Sequence, residues 1–457
     1  MDSLDKIDKS NSKTPFVFLF IPLAILIVVV VVLVSLYERE KPQLSIISDI
    51  AQIGIIENVE FALTDQKSGL RMVEVSMVQG AKEELIYEKK YKRIGMVFKS
   101  GPERVEETFE IKTKTLKMDD GEAELVFRVR DYSWWNWMSG NVVTLKYPVE
   151  LDTRPPFINV VHSPRYIISG GSGIVTYKVN EEIMDHGVII NDNFHPGYPV
   201  HGEDEGLQAA FIGLEYDTAN IDEAYVQAVD LAGNVGKGMF SMILRKARIK
   251  SDIINVSDSF LNRKLPEFMQ YYPEIADEQG NVDKYLLVNN TLRKQNNEKI
   301  DEICRDSQPR RLWEGRFSRM ARSSRKAGYA ERRTYYHEGK KIDQQTHLGI
   351  DLASTSQAPV EAANHGVVAF AGYLGIYGNT VILDHGMGIF SLYSHLSQIK
   401  VAEGDMTDRS TVIGLTGATG MAGGDHLHFS MLVNGVFVNP LEWWDENWLK
   451  INILKNF

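Results

Sequence analysis

Cysteine is almost absent from this chain of 457 residues, because Cys304 is its single thiol. One cysteine excludes an intramolecular disulfide framework, and it also excludes a zinc site built from two or more thiolates. The chain must therefore fold around ordinary hydrophobic cores. Its length is too great for one such core and predicts two to four domains.

Positive charge is also scarce. The 61 acidic residues outnumber the 50 lysines and arginines, which gives a formal net charge of -11. A protein that binds nucleic acid releases counterions by presenting a basic surface to the phosphates. The acidic balance therefore predicts that no nucleic acid is a partner.

Long apolar runs are missing except near the N-terminus. Residues 14–37 contain no charged side chain, and residues 16–36 are almost wholly aliphatic or aromatic. About 20 helical residues cross the hydrocarbon core of a bilayer, whereas the apolar part of a cleaved signal peptide has only about 7–15. We therefore predict an uncleaved transmembrane anchor at residues 14–37, preceded by a short cytoplasmic tail at residues 1–13.

The next 200 residues alternate between apolar and polar side chains in short runs, such as residues 72–78 (MVEVSMV), and Gly, Asn, Asp and Pro interrupt them. This pattern is typical of strands. A weak repeat aligns residues 124–131 and Asn136 with residues 224–230 and Asn234, and residues 228–233 resemble the end of a bacterial immunoglobulin-like domain. We predict two immunoglobulin-like β-sandwich domains, residues 41–152 and 153–247, as candidate surfaces for a protein partner.

Helical spacing replaces the strand pattern from residue 252 onward, where Leu261, Leu265 and Phe268 recur at helical intervals. Arginine and lysine are dense in the residues that follow. We predict a helical and basic connector at residues 248–335.

The last quarter of the chain holds six of the eleven histidines. Period-two alternation places His426 and His428 on one face of a strand, and it places His395 on the same face as Tyr393. His365 and His385 stand in glycine-adjacent turns, and we interpret both as structural.

A spacing of four residues brings His347 and Asp351 to one side of the backbone. Zinc accepts imidazole nitrogen and carboxylate oxygen, and a catalytic site needs three such ligands and an open position. The spacing therefore predicts a metal site in this part of the chain. It does not by itself choose which histidines bind the metal and which transfer protons.

Several short motifs in this region occur in a fixed order. They are residues 347–351 (HLGID), 358–362 (APVEA) leading to Gly366, 377–379 (YGN), 384–386 (DHG), 393–396 (YSHL), 414–420 (GLTGATG), and 426–429 (HLHF) with Asn439 and Pro440. Together they resemble the zinc endopeptidases of the lysostaphin and LytM type over residues 347–440.

The resemblance implies an antiparallel β zinc peptidase domain at residues 336–447, with one Zn²⁺ per chain held by His347, Asp351 and His428. It further implies His395 and His426 as the catalytic pair, and peptidoglycan cross-links or stem peptides as the substrate. The whole chain is then expected to be a mainly β, multidomain protein of the bacterial inner membrane, with a single pass and periplasmic C-terminal domains. Two alternatives remain open: an inactive regulator that activates another wall hydrolase, and a peptidase acting on a protein.

Overall fold

The structure, a computed structural model, describes residues 15–95, 100–200 and 205–457. The predicted cytoplasmic tail at residues 1–13 lies outside the described residues. The chain divides into two compact units. Unit 1 comprises Met1–Pro155 and Asp230–Asn234, and unit 2 comprises Pro156–Val229 and Val235–Phe457.

The apolar N-terminal segment forms helix α1 (Pro15–Leu36). In the part of the chain that the structure describes, no helix is both long enough and apolar enough to cross a membrane. This finding gives the predicted anchor at residues 14–37 no support, and part of that segment lies outside the described residues.

Unit 1 contains two sheets, antiparallel except for the parallel pairing of β2 with β8, and one short turn, α2 (Trp135–Met138). Val59, Phe61 and Leu63 point inward from one sheet, and Leu125 and Phe127 point inward from the other, so alternation along the strands builds one shared core. The sheets have the orders β1-β3-β6 and β2-β8-β7-β4-β5. Their strands are β1 (Gln43–Ile46), β2 (Gln52–Ile53), β3 (Ile56–Thr64), β4 (Leu70–Gln79), β5 (Lys82–Lys90), β6 (Arg104–Lys112), β7 (Gly121–Asp131) and β8 (Val142–Leu151).

The weak sequence repeat corresponds to a hydrogen-bonded Asp–Asn pair that occurs in both copies, but the asparagine predicted for the first copy is wrong. Asp131 accepts hydrogen bonds from the backbone N–H and the side-chain amide of Asn141, at 2.7 and 2.9 Å. Asp230 accepts the same pair of bonds from Asn234. Asn136, which the repeat aligned with Asn234, lies instead in a turn with positive φ. The spacing differs because the loop after Asp131 is longer.

Unit 2 begins with short sheets around a second core that includes Tyr177, Ile212 and Val226. The sheets have the orders β14-β15-β11-β9, β13-β12-β16-β17 and β10-β18. The immunoglobulin-like assignment of residues 41–152 and 153–247 stays a prediction. The strands are β9 (Ile158–His162), β10 (Tyr166–Ile168), β11 (Ser172–Val179), β12 (Ile183–Ile190), β13 (Asn193–Pro196), β14 (Tyr198–Pro199), β15 (Gln208–Gly213), β16 (Ala224–Asp230), β17 (Val235–Met239) and β18 (Ile243–Arg245).

The predicted connector is helical across its middle. Its helices are α3 (Asp258–Tyr271), α4 (Asn281–Leu286) and α5 (Arg293–Ile303), with a π-helix over Leu287–Leu292 between the last two. Phe268, Val288 and Ile300 are buried against Ile382 and Phe390 of the following sheet. These helices therefore form a layer of the C-terminal domain that packs on its sheet, in addition to linking that domain to the preceding residues.

An eight-stranded sheet dominates the C-terminal part, in the order β20-β23-β31-β27-β26-β25-β29 with β32 beside β31. Smaller sheets run β19-β21-β22 and β24-β30-β28, and helices α6 (Pro440–Trp444) and α7 (Glu446–Asn452) follow. The predicted mainly β, multidomain architecture is confirmed. The strands are β19 (Ser251–Asn255), β20 (Ser324–Ala327), β21 (Glu331–His337), β22 (Lys340–His347), β23 (Ile350–Ala353), β24 (Pro359–Glu361), β25 (Gly366–Tyr373), β26 (Asn379–Asp384), β27 (Ile389–Leu396), β28 (Gln398–Ile399), β29 (Met406–Thr407), β30 (Val412–Leu415), β31 (Leu427–Val433) and β32 (Val436–Val438).

Candidate metal centre

Three neighbouring strands bring the candidate ligands together. Asp351 on β23 lies directly opposite His428 on β31, and His428 lies opposite Ser394 on β27. His347 ends β22, one tight turn before β23 begins. The antiparallel register therefore joins residues that are about 80 positions apart in sequence, because directly opposed side chains lie about 5 Å apart.

The three side chains meet at single atoms. His347 Nε2 lies 2.9 Å from Asp351 Oδ1 and 2.9 Å from His428 Nδ1. His428 Nδ1 lies 3.0 Å from Asp351 Oδ1. Each of the three residues is at least 92 % buried, since their exposed fractions are 6, 8 and 5 %.

In each of the two histidine ligands, the ring nitrogen that points away from the cluster makes a hydrogen bond that determines the tautomer. His347 Nδ1 donates to the carbonyl of Gly328 at 2.8 Å, so its Nε2 carries a lone pair. Ser430 Oγ donates to the carbonyl of Leu348 and accepts from His428 Nε2 at 3.1 Å, so His428 Nδ1 also carries a lone pair. Histidines that bind a metal are usually oriented in this way by a second hydrogen bond.

Three lone-pair atoms at 2.9–3.0 Å repel one another unless a cation lies among them. Two imidazole nitrogens and one carboxylate oxygen are a ligand set that Zn²⁺ accepts, and ligand atoms about 2.0–2.2 Å from the ion come within roughly 3.3 Å of one another in a tetrahedral site. The donor set and its spacing therefore fit a zinc ion.

Asp351 has a second partner that the sequence did not reveal. Arg333 Nη2 donates to its Oδ2 at 2.8 Å, which leaves Oδ1 for the cluster. Burial favours a raised pKa for Asp351, but the surrounding His347, His426 and His428 outweigh burial and hold its pKa well below its usual range. The carboxyl group is thus ionised and held in one orientation.

Two further histidines border this cluster. The ring of His395 lies 4.9 Å from that of His426 and 5.7 Å from that of His428. His395 Nδ1 donates to the carbonyl of Thr419 at 2.9 Å, and His426 Nδ1 donates to that of Gly424 at 2.8 Å. Both rings therefore keep Nε2 available, and His426 Nε2 lies 3.5 Å from Asp351 Oδ1.

The surroundings change the proton affinities of these rings. Burial, together with neighbouring histidines, lowers the pKa of His428 to about 4 and holds the pKa of His395 well below its usual range. Burial also acts to lower the pKa of His426, but its contact with Asp351 and its bond to Gly424 reverse the direction and raise it.

The predicted face of His395 is wrong. Tyr393 and Leu396 point into the main core, whereas His395 turns toward His428 on the other face of the sheet. His395 has a φ of +62°, and the pairing of β26 with β27 shifts register between Asn379 and Val381. Such a bulge redirects a side chain, and strained backbone of this kind gathers at functional sites.

The structural interpretation of the two remaining histidines in the domain agrees with their positions. His385 is fully buried and bonds to the carbonyl of His365 and to Ser391. His365 lies near Asp408 at the surface. Neither residue joins the cluster.

A groove of about 460 Å³ leads to the five candidate side chains. Its lining includes Tyr377, whose ring lies 5.7 Å from that of His428, and Arg293 and Arg333. Residues 252–263 form another part of the lining, so the predicted connector contributes to the site. Sequence reasoning gave no role to Arg293 or Tyr377, because neither stands at metal-ligand spacing.

Comparison with known proteins agrees with this geometry. Residues 345–440 match the family described as peptidase family M23. The chain is 44 % identical over 95 residues to a DD-carboxypeptidase/endopeptidase, Mpg, of Neisseria meningitidis serogroup B, a match that covers 21 % of this chain and 22 % of that protein. It is 38 % identical over 96 residues to the peptidoglycan DD-endopeptidase ShyA of Vibrio cholerae, again covering 21 % of this chain and 22 % of the relative.

The chain thus spans about a fifth of the length of these curated relatives. Among solved structures, the catalytic domain of lysostaphin from Staphylococcus simulans is similar at 28 % identity and a TM-score of 0.23, over 27 % of this chain and 92 % of that one. The predicted family resemblance is confirmed: residues 345–440 of this chain form a peptidase family M23 domain of the lysostaphin and LytM type.

Proposed function

We propose that the chain is a zinc-dependent endopeptidase that hydrolyses peptide bonds in peptidoglycan cross-links or stems. The observation that carries this proposal is the convergence of three lone-pair atoms, on His347, Asp351 and His428, next to the Nε2 atoms of two more histidines. The names of the two curated relatives, a DD-carboxypeptidase/endopeptidase and a peptidoglycan DD-endopeptidase, suggest the substrate class.

In this proposal His347 Nε2, Asp351 Oδ1 and His428 Nδ1 hold the metal. A bound zinc ion supplies Lewis acidity, which polarises a carbonyl group and makes a water molecule more acidic. Arg333, Gly328 and Ser430 keep the three ligands in the orientation that this requires.

His395 and His426 move protons in this proposal. Each ring holds its Nδ1 proton on a backbone carbonyl, so the two Nε2 atoms are placed to take the one proton that the attacking water loses and to give one proton to the leaving amine nitrogen. The pair borders the groove beside the ligands. A peptide lying in that groove would bring its scissile carbonyl next to the three candidate ligands and the two rings.

The test uses the full-length protein in detergent with purified peptidoglycan, and the released fragments are identified by mass spectrometry. We expect cleavage that a chelator abolishes and added Zn²⁺ restores. His347→Ala should lose the activity, and His365→Ala, which removes a histidine outside the cluster, should keep it. A zinc-loaded protein that cleaves no wall peptide contradicts the proposal, and such a result is the one expected of an inactive regulator. Cleavage of proteins alone would also contradict it.

We also propose that the catalytic domain works outside the cytoplasm, tethered to the inner membrane through residues 14–37. The support is the sequence, because those residues carry no charge and the proposed substrate lies outside the cytoplasm. We expect the full chain to sediment with inner membranes and to resist extraction by alkaline carbonate. Protease added to spheroplasts should degrade its C-terminal domains. A chain recovered in the soluble fraction would contradict the tether.

A further inference from the structure

Two arginines line the groove beside the metal centre. Arg293 is the first residue of α5, and Arg333 lies on β21. Both act on the phenol of Tyr285, whose pKa is raised by burial and by Tyr335 and is pulled down by the two guanidinium groups. Arg293, Arg333 and Tyr285 all line this groove.

Arg293 is held rigidly without a neutralising carboxylate. Its Nε donates to the carbonyl of Asn289 at 3.0 Å, and its Nη2 donates to Asn289 Oδ1 at 2.6 Å. Asn289 is fully buried and donates in turn to Asp343 at 2.6 Å. Within the described ranges, Arg293 makes no ion pair with an acidic side chain. A fixed guanidinium with free donors is the group that recognises carboxylates best in proteins.

The backbone before Arg293 is also unusual. Leu287–Leu292 forms a π-helix, and Asn289, the residue that holds Arg293, lies inside it. Segments of π-helix are rare, and they occur frequently at functional sites.

Arg333 has one donor without a partner. Its Nη2 bonds to Asp351, but its Nε is buried and makes no hydrogen bond within the described residues. The Arg333 side chain as a whole is 20 % exposed and lines the groove, so its guanidinium presents positive charge to an anion that enters.

Two hydrogen bonds hold helix α5 next to the segment that borders the metal centre. Asn296 Oδ1 accepts from the backbone N–H of Ile376 at 2.9 Å, and Asn297 Oδ1 accepts from the hydroxyl of Tyr377 at 2.9 Å. Tyr377 in turn packs on the ring of His428. Arg293 is therefore held at a fixed distance from the ligands, as is required of a group that positions a substrate.

We propose that Arg293 and Arg333 form a subsite for an ionised carboxylate of the peptide substrate, close to the scissile bond. This inference rests on the proposed endopeptidase function and narrows its substrate. Two parts of a cross-linked stem can supply such a group. The first is a diaminodicarboxylic acid in the cross-link, which carries a carboxylate on the carbon that bears the scissile nitrogen, whereas a lysine cross-link has none there. The second is the terminal carboxylate at the end of a stem.

The test compares cross-linked stem dimers that differ at these positions. One dimer has both carboxylates free, one has the carboxylate beside the scissile nitrogen amidated, and one has the stem terminus amidated. We expect amidation at one of the two positions to lower kcat/KM about 10- to 100-fold with the zinc-loaded full-length protein. The position that matters identifies the source of the carboxylate.

Arg293→Gln should lower kcat/KM by a similar factor on the free dimer and should leave the rate on the sensitive amidated dimer unchanged. Arg293→Lys keeps the positive charge but loses the planar set of guanidinium donors. Its kcat/KM on the free dimer should therefore lie between the values for the wild-type protein and for Arg293→Gln. Lys294→Gln, which removes the neighbouring charge on the exposed side of α5, is the matched control and should behave as wild type on all dimers. Equal unfolding temperatures of the variants would show that the fold is intact.

If the wild-type protein cleaves all three dimers with equal kcat/KM, the proposed subsite is contradicted. It is also contradicted if Arg293→Gln lowers kcat/KM by the same factor on all three dimers. If the wild-type protein cleaves no dimer, the proposed function itself fails. Calorimetric binding of the same dimers to metal-free protein separates these cases. A preference for the free carboxylate there, lost in Arg293→Gln, supports the subsite independently of turnover.

Discussion

At the scale of single residues, the metal centre depends on residues that are not ligands themselves but form hydrogen bonds with the ligands. Gly328, Ser430 and Arg333 each hold one ligand through a hydrogen bond. These bonds choose the tautomers of the histidines and the orientation of the carboxylate. Removing one of them should weaken metal binding without removing a ligand.

Replacing Arg333 with Met should weaken zinc binding about 10- to 100-fold, because Asp351 Oδ2 loses its charged partner inside a buried site. Competition with a chromogenic chelator measures the affinity directly. Arg332→Met, which removes an exposed arginine from the adjacent position of β21, should bind zinc normally. An unchanged zinc affinity in Arg333→Met would mean that the ion pair does not orient the ligand.

Gly349 lies in the turn between His347 and Asp351, where a Cβ would fall 2.6 Å from His428 Nε2 and 2.6 Å from Ser430 Oγ. Gly349→Ala should therefore displace His428 and reduce zinc binding and cleavage at least tenfold, at a cost of about 1–3 kcal/mol in stability. Gly328→Ala is the control, since it keeps the backbone carbonyl that accepts from His347 and a Cβ there meets nothing within 4 Å. Equal zinc affinities of the two variants would contradict the steric argument.

At the scale of secondary-structure elements, the helices before the peptidase sheet belong to its core. Phe268 of α3 is completely buried and packs with Ile382 and Phe390. Phe268→Ala should destabilise unit 2 by about 3–5 kcal/mol, because it leaves a cavity between the helical layer and the sheet. Thermal unfolding followed by circular dichroism measures the loss. Tyr271→Ala, at a half-exposed position of the same helix, should cost far less.

Helix α6 is tied to β11 by a carboxyl group in an unfavourable environment. Glu442 accepts from the N–H and the hydroxyl of Ser172, both at 2.9 Å, yet burial outweighs these bonds and raises its pKa to about 7. A raised carboxyl pKa means that folding favours the protonated form. The stability from this group is full below its unfolded value of 4.5 and is lost as the pH rises through about 7.

Glu442→Gln should therefore raise the unfolding temperature relative to wild type more at pH 8 than at pH 5. Differential scanning calorimetry across this range measures the difference. Glu446→Gln, on the exposed start of α7, is the control for removing one carboxyl group from this part of the chain. A difference that stays constant with pH would show that Glu442 does not titrate in this window.

At the scale of the whole molecule, the two units have separate cores, and the candidate metal centre of His347, Asp351 and His428 lies in unit 2. A ligand that binds the folded state alone stabilises it by an amount that grows with its concentration. Adding Zn²⁺ at about 100 times its dissociation constant should stabilise unit 2 by about 2.7 kcal/mol and leave unit 1 unchanged. Calorimetry should show one shifted transition, and His347→Ala should abolish the shift. A shift in both transitions would contradict the assignment.

Much of the site could be predicted from the sequence because it depends on local regularities. His347 and Asp351 flank a single tight turn, and His428 follows from alternation along one strand. Strand periodicity also predicted the β units. The family resemblance then chose among histidines that spacing alone could not separate, and the structure brings the chosen three within 3.0 Å.

Other features could not be predicted because they depend on contacts between distant segments. The direction of His395 follows from a bulge that period-two alternation does not anticipate. The role of Arg333 depends on the pairing of β21 with β22, which carries it to a carboxylate 18 positions away. Arg293 reaches the groove because α5 packs on the turn before β26.

The sequence by itself determined which residue types can bind a metal and on which side of their own strand most of them lie, because alternation is a local property of the backbone. Only the tertiary structure decided which nitrogens face inward, which arginines approach the centre and which helices cover the sheet. Those outcomes depend on register, hydrogen bonding and packing between segments that lie far apart along the chain.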